Sequence, residues 1–329
     1  LFHGLVAQVP MSCPAVTLQP LPTPLPQGVM ANIGHNEVLF VPQDSNYFQC
    51  TFVLTIDPTT CTMEYVAIDC DLDIIRYYPT LTRIGSEVLM YGGYVSYTPD
   101  HPMSSAHYTL QQECMSDLFI FDIPTRVWRE VPKRGVWPRG LQLHTAYERR
   151  GCLVVLGGST DTLGIPGSQS VWEYNLETQE WRRCPQLPAD MYMGVCTRVR
   201  GVSEVCAFSC SDRKGSPVYN ASCTSQHESD RSFLLETTLP IPSPTVIATL
   251  GVGAHIVTIL EDVPWYGDST VRVYAYDTVS REWEDRGCLD ILGRADNTAW
   301  CECSAGCSVW RFNDEYTYLV FTDTVDTFE

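Results

Sequence analysis

Apolar runs of four or five residues recur down the chain, each closed by small or turn-forming residues, and no stretch holds a helical period. Val88-Leu89-Met90-Tyr91 ends in Gly92-Gly93, and Leu153-Val154-Val155-Leu156 ends in Gly157-Gly158. Weaker versions are Val38-Leu39-Phe40-Val41-Pro42, Ala207-Phe208-Ser209-Cys210 and Ile259-Leu260-Glu261-Asp262. The runs read as strands, and glycine suits a strand end where backbones crowd together or φ turns positive. Downstream of each run a second phrase returns. Its best copy is Tyr174-Asn175-Leu176-Glu177-Thr178-Gln179-Glu180-Trp181, and the same seven-residue offset joins Phe121 to Trp128 and Tyr276 to Trp283. Worn copies join Ile56 to Met63 and Phe321 to Phe328. An apolar strand that enters at the aromatic, turns on Asp, Pro, Asn or Thr and returns at the Trp is a β-hairpin.

A strand ending in Gly-Gly, a variable loop, an aromatic strand and a Trp seven residues on together resemble the kelch repeat, which builds β-propeller blades of about 50 residues. The gap from Trp181 to Trp283 is twice the usual one, leaving room for a worn blade with an inner strand near Val205 to Phe208 and a hairpin around Ser222 to Phe233. The resemblance implies an all-β fold, a six-bladed kelch-type β-propeller with four-stranded blades in one domain over 1–329. Its blades are expected at about 28–68, 78–131, 141–187, 190–235, 245–288, and 297–329 plus 14–22. In the last, the segment Ala15 to Pro22 compares well with Trp181 to Pro188 and is expected to supply one outer strand, with three strands from about Asn297 to Thr324. Such a mixed blade removes the unpaired sheet edges.

The 329 residues are 44% apolar, and no stretch approaches the 18 uninterrupted apolar residues of a membrane-spanning helix. The start at Leu1, with no initiating Met or secretory leader, is expected of an excised domain or mature fragment. A formal charge of −18 argues against nucleic acid and anionic membrane as partners and favours a basic one, or serves solubility alone. Fifteen cysteines, an odd number scattered through apolar strands, read as buried reduced thiols and an intracellular location. The competing account is a disulfide-stapled secreted protein, helped by the sequon Asn220-Ala221-Ser222. Cys301, Cys303 and Cys307 lack zinc-knuckle spacing, and no metal or other cofactor is expected.

Blade connectivity puts the loops between second and third strands on the same end as the links between blades. That end gathers Tyr97, His101, His107, Asp161, Asp212, Arg213, Trp265 and Tyr266 from the loops, and Asp71, Asp73, Arg134, Arg139 and Tyr192 from the links. Aromatic residues and arginines on loops over a rigid body suit a protein-binding surface. The longest loop, 94–115 in blade two, has the length of a functional insertion or a disordered one. Asp69, Asp71 and Asp73 share one side if extended, a cation or Arg site or a solvated link. Phosphate-loop, H-E-x-x-H and G-x-S-x-G motifs are missing from the sequence. The resemblance implies a non-enzymatic scaffold or substrate adaptor binding a protein or peptide. Kelch propellers also include copper oxidases and sialic acid epimerases, whose catalytic residues find no positional match here, and secreted recognition domains are a further alternative.

Overall fold

The structure, a computed structural model, describes residues 5–6, 16–17, 28–34, 37–43, 50–57, 62–97, 111–161, 167–187, 190–198, 204–211, 220–227, 234–238, 244–252, 255–262, 270–277, 280, 282–289, 307–311 and 317–321. Among these residues every regular element is a strand and every strand pairing is antiparallel. Two short strands, β1 (Leu5–Val6) and β2 (Val16–Thr17), precede the first sheet, which runs in order through β3 (Gly28–Asn32), β4 (Glu37–Pro42), β5 (Cys50–Asp57) and β6 (Thr62–Asp69). The second sheet starts with β7 (Thr80–Ile84) and β8 (Glu87–Tyr91). It is interrupted by a two-stranded ribbon, β9 (Tyr94–Tyr97) with β10 (Gln111–Cys114), and completed by β11 (Leu118–Asp122) and β12 (Val127–Glu130). The third is β13 (Gln142–Arg149), β14 (Cys152–Ser159), β15 (Val171–Asn175) and β16 (Glu180–Arg183). The fourth is β17 (Tyr192–Arg198), β18 (Glu204–Ser211), β19 (Asn220–His227) and β20 (Leu234–Thr238). The fifth is β21 (Pro244–Val252), β22 (His255–Asp262), β23 (Thr270–Asp277) and β24 (Trp283–Leu289). The last pair, β25 (Cys307–Arg311) and β26 (Thr317–Phe321), joins the first two strands in a mixed sheet of order β2-β1-β26-β25.

The mixed sheet corrects one expectation. Among the described residues each end of the chain supplies two strands, because Leu5 pairs with Leu319 and β1 lies between β26 and β2, while residues 297–306, where the expected three strands were to begin, lie outside them. A two-residue strand carries no period, so nothing in the pattern of residues 1–13 announces it. The first strands of successive sheets lie side by side: β3 by β7, β7 by β13, β13 by β17, β17 by β21, β21 by β25, and β25 by β3.

In the first three sheets the apolar runs are continuous because the inner strands β4, β8, β11 and β14 are buried on both faces. In β8, Val88 and Met90 pack toward the first sheet with Phe119, Phe121 and Trp128, whereas Leu89 and Tyr91 pack toward the third with Leu153, Val155, Tyr174 and Trp181. Alternation along a strand therefore sorts apolar residues between two interfaces rather than between core and water.

The seven-residue phrase is the hairpin register itself. Phe121 lies opposite Trp128, Tyr174 opposite Trp181, Tyr276 opposite Trp283, and the worn Ile56 opposite Met63. The three aromatic pairs stand 5.1, 5.2 and 5.0 Å apart. The turns close on a side-chain oxygen: Asp122 Oδ1 accepts from the Thr125 N–H and hydroxyl, and Asn175 Oδ1 from the N–H groups of Glu177 and Thr178. Trp128 and Trp181 also reach the preceding sheet. The Trp128 indole donates to the Thr51 hydroxyl at 3.1 Å, and Trp181 lies 5.1 Å from Tyr91.

Candidate functional site

The glycine pairs tie each sheet to the link that follows it. The Gly93 N–H donates to the Leu141 carbonyl at 2.7 Å and the Gly158 N–H to that of Met191 at 2.8 Å. Gly92 and Gly93 have φ of 68° and 89°, and a Cβ on Gly93 would stand 2.6 Å from the Tyr77 carbonyl oxygen. Beneath Gly92 lies His144, buried, with Nε2 2.9 Å from the Thr80 hydroxyl. Burial pushes its pKa down to about 4 against the pull of the Tyr91 and Leu141 carbonyls, so it is neutral at ordinary pH.

At this end the links and the loops between second and third strands meet, as the connectivity requires. Residues 70–79 lead from β6 to β7, with Ile74, Ile75 and Arg76 buried. The Arg76 side chain is 1% exposed; Nη2 donates to the Asp73 carbonyl at 2.7 Å, Nη1 stands 3.5 Å from Asp117 Oδ2, and the guanidinium covers Phe119 at 5.0 Å. Burial lowers its pKa, and the charge of Asp117 opposes the shift. The other oxygen of Asp117 receives Lys133 at 2.6 Å, from the link between β12 and β13. Asp117 thus joins two links to the root of the inserted ribbon. On the same link, Trp137 donates to the Ser116 carbonyl at 2.6 Å, and the Tyr91 hydroxyl donates to the Arg139 carbonyl at 2.9 Å.

The segment expected as one long loop over 94–115 is paired at its ends: β9 and β10 run from Tyr94 with Cys114 to Tyr97 with Gln111, and residues 98–110 lie outside the described residues. At the base of this ribbon Tyr77 and Tyr94 exchange backbone hydrogen bonds, both 2.8 Å. Their rings stack at 5.1 Å, with Tyr78 5.8 Å from Tyr94. All three tyrosines are half-buried, and Tyr78 has φ of 53°, uncommon for a bulky residue.

The residues expected at this end divide into three groups. Arg134, Arg139 and Asp161 are exposed there, and the Asp161 carbonyl accepts from Gln142 at 2.6 Å. Tyr97 ends β9 and Tyr192 opens β17, both placed by their backbones. His101, His107, Asp212, Arg213, Trp265 and Tyr266 lie outside the described residues. Asp69, Asp71 and Asp73 are exposed, but the line of carboxylates fails, because β6 ends at Asp69 and the chain bends at Leu72. No three His, Cys, Asp or Glu side chains are grouped to hold a metal ion among the described residues. Tyr77, Tyr78, Tyr94, Arg76 and Asp117 escaped the sequence reading; the doublet Tyr77-Tyr78 before Pro79, leading into an inner strand, was the available signal.

Residues 149–188 match the family model described as the Kelch motif. The chain carries a kelch motif. The match starts at the end of β13, takes in β14, β15 and β16, and stops in the next link, so it spans Gly157-Gly158 and the Tyr174–Trp181 pair. The kelch motif is thus out of phase with the sheet it builds, whose first strand comes almost wholly before it. No curated protein matches the chain.

Proposed function

We propose that the chain is a six-bladed kelch-type β-propeller and a non-enzymatic interaction module, binding a protein or peptide at the end where links and second-to-third-strand loops meet. The propeller reading draws on the four-stranded sheets, the succession of adjoining first strands, and the sheet built from both chain ends. The observation that carries the binding reading is the Tyr77–Tyr78–Tyr94 cluster at the root of the ribbon. Half-buried tyrosines offer large contact area at small entropic cost, and here they rest on a rigid body. The polar groups nearby hold the scaffold, Asp117 between Arg76 and Lys133, and neutral His144 against Thr80. The net charge of −18 favours a basic partner. An intracellular location rests on the odd cysteine count.

The test is quantitative affinity capture with the parent and with a variant in which residues 95–113 are replaced by a four-residue turn. Partners held by this end should be lost while far-UV circular dichroism and unfolding midpoint stay close to the parent's. Equal capture by both would show that the ribbon beyond Tyr94 takes no part in binding.

A further inference from the structure

Outer strands of a sheet leave one row of backbone donors and acceptors unpaired, and proteins protect such edges by shortness, charge or bulges. The outer strands β12 and β16 have four residues each and carry Arg129, and Arg182 with Arg183. Register shifts mark the pairing of β20 and β24 with their neighbours, and β2 has two residues. Strand β6 is neither short nor bulged, and the charges it carries, Glu64 and Asp69, are both acidic. It is eight residues long, pairs with β5 from Cys50 with Asp69 to Asp57 with Thr62 without a shift, and contains no Pro, Lys or Arg. Tyr65 and Ile68 are half-buried, Tyr65 edge-on to Phe52 at 5.6 Å and Ile68 against the core of the first two sheets. Val66 is 57% exposed, and Glu64, Ala67 and Asp69 are exposed beside it. Among the described residues no strand pairs with its outer edge.

We propose that the outer edge of β6 accepts an extended basic peptide by strand addition, a surface separate from the tyrosine end. The charges select the occupant. Glu64 and Asp69 bracket the exposed apolar pair, Asp71 and Asp73 follow on the link, and the strand brings no cation of its own. A second copy of this chain would bring a net charge of −18 against its equal. An antiparallel partner meets Glu64 and Asp69 with basic residues five positions apart and presents apolar side chains to Val66 and Ala67, while the ladder supplies the main-chain bonds.

The probe is a fluorescein-labelled peptide containing Lys-Thr-Val-Val-Thr-Lys, titrated into the full chain by anisotropy, with Glu-Thr-Val-Val-Thr-Glu as control. The lysine peptide should bind, the glutamate peptide at least tenfold more weakly, and bound peptide should slow amide hydrogen exchange at Tyr65 to Ile68. Val66→Lys, and Glu64→Lys with Asp69→Lys, should each weaken binding about tenfold or more. These side chains are exposed, and circular dichroism verifies the fold. Absent binding, equal affinity for both peptides, unchanged exchange in β6 or indifference to the substitutions would overturn the proposal. So would a concentration-dependent dimer in ultracentrifugation that Val66→Lys abolishes, which would make a second copy the occupant.

Discussion

Replacing Asp117 by Ala removes the counter-charge of a guanidinium that water does not reach. Arg76 is 1% exposed and would keep the Asp73 carbonyl, the face of Phe119 and the weaker pull of the Asp73 and Glu130 charges. Stripping one partner from a buried ion pair costs about 3–5 kcal/mol. The 3.5 Å separation and the 16% exposure of Asp117 put this case at the lower end, about 3 kcal/mol. Losing the half-exposed Lys133 contact adds at most about 1 kcal/mol. Arg76→Met keeps the packing on Phe119 and leaves Asp117 with Lys133, so it should cost about 1 kcal/mol. The double variant should then resemble Arg76→Met, because no uncompensated charge remains, rather than sum the two losses. Urea unfolding of the four proteins at pH 7, followed by tryptophan fluorescence and circular dichroism, measures the cycle. Additive losses, or an Asp117→Ala variant within about 0.5 kcal/mol of the parent, would show that Asp117 does not balance Arg76.

Acid should unfold the protein partly through His144. Its folded pKa of about 4 lies below the ordinary 6.5, so the unfolded chain binds the proton first, and stability present above pH 6.5 is lost as pH falls toward 4, by about 3 kcal/mol; His144→Gln should flatten that slope in urea midpoints taken across the range. Gly93→Ala should cost about 2 kcal/mol or more in the same assay, since φ is 89° and the added Cβ meets the Tyr77 carbonyl, whereas Gly85→Ala, with positive φ but open space, should cost about 1 kcal/mol. Cys152 and Cys184 are buried, and Cys50, Cys70 and Cys114 half-buried. Cys152 and Cys184 should react with a thiol reagent only after denaturation, which mass mapping of labelled sites would check, and a disulfide at either would contradict it.

Much of the repeat was legible because it is local. The aromatic and Trp of the three clear copies face each other across one hairpin, so their spacing is fixed by turn length, and the turn residues Asp122 and Asn175 show why those types recur. The left-handed positions in these turns fall on Arg126 and Gln179, both at φ 56°, where glycine would have been the signal. Contacts distant in sequence left no pattern. Glu173 is buried in β15 and accepts from Arg149 and Arg182, yet its neighbours Trp172 and Tyr174 read only as strand. Asp117 precedes Leu118-Phe119-Ile120-Phe121 as any strand-leading aspartate does, and only the fold brings Arg76 and Lys133 to it. The ribbon escaped for a similar reason, since Gln111-Gln112-Glu113-Cys114 has weak strand propensity and pairs because Tyr94 is already fixed against Tyr77.

The most direct test of the interaction reading compares capture by three purified proteins: the parent, Tyr78→Ala with Tyr94→Ala, and Thr125→Ala with Glu177→Ala at the hairpin end. Partners quantified by mass spectrometry should fall tenfold or more with the tyrosine variant and stay at parent levels with the hairpin variant, an effect of about 1.4 kcal/mol in binding. Capture that survives loss of both tyrosines, or that falls equally in the two variants, would contradict the assignment of binding to the end where links and ribbon meet.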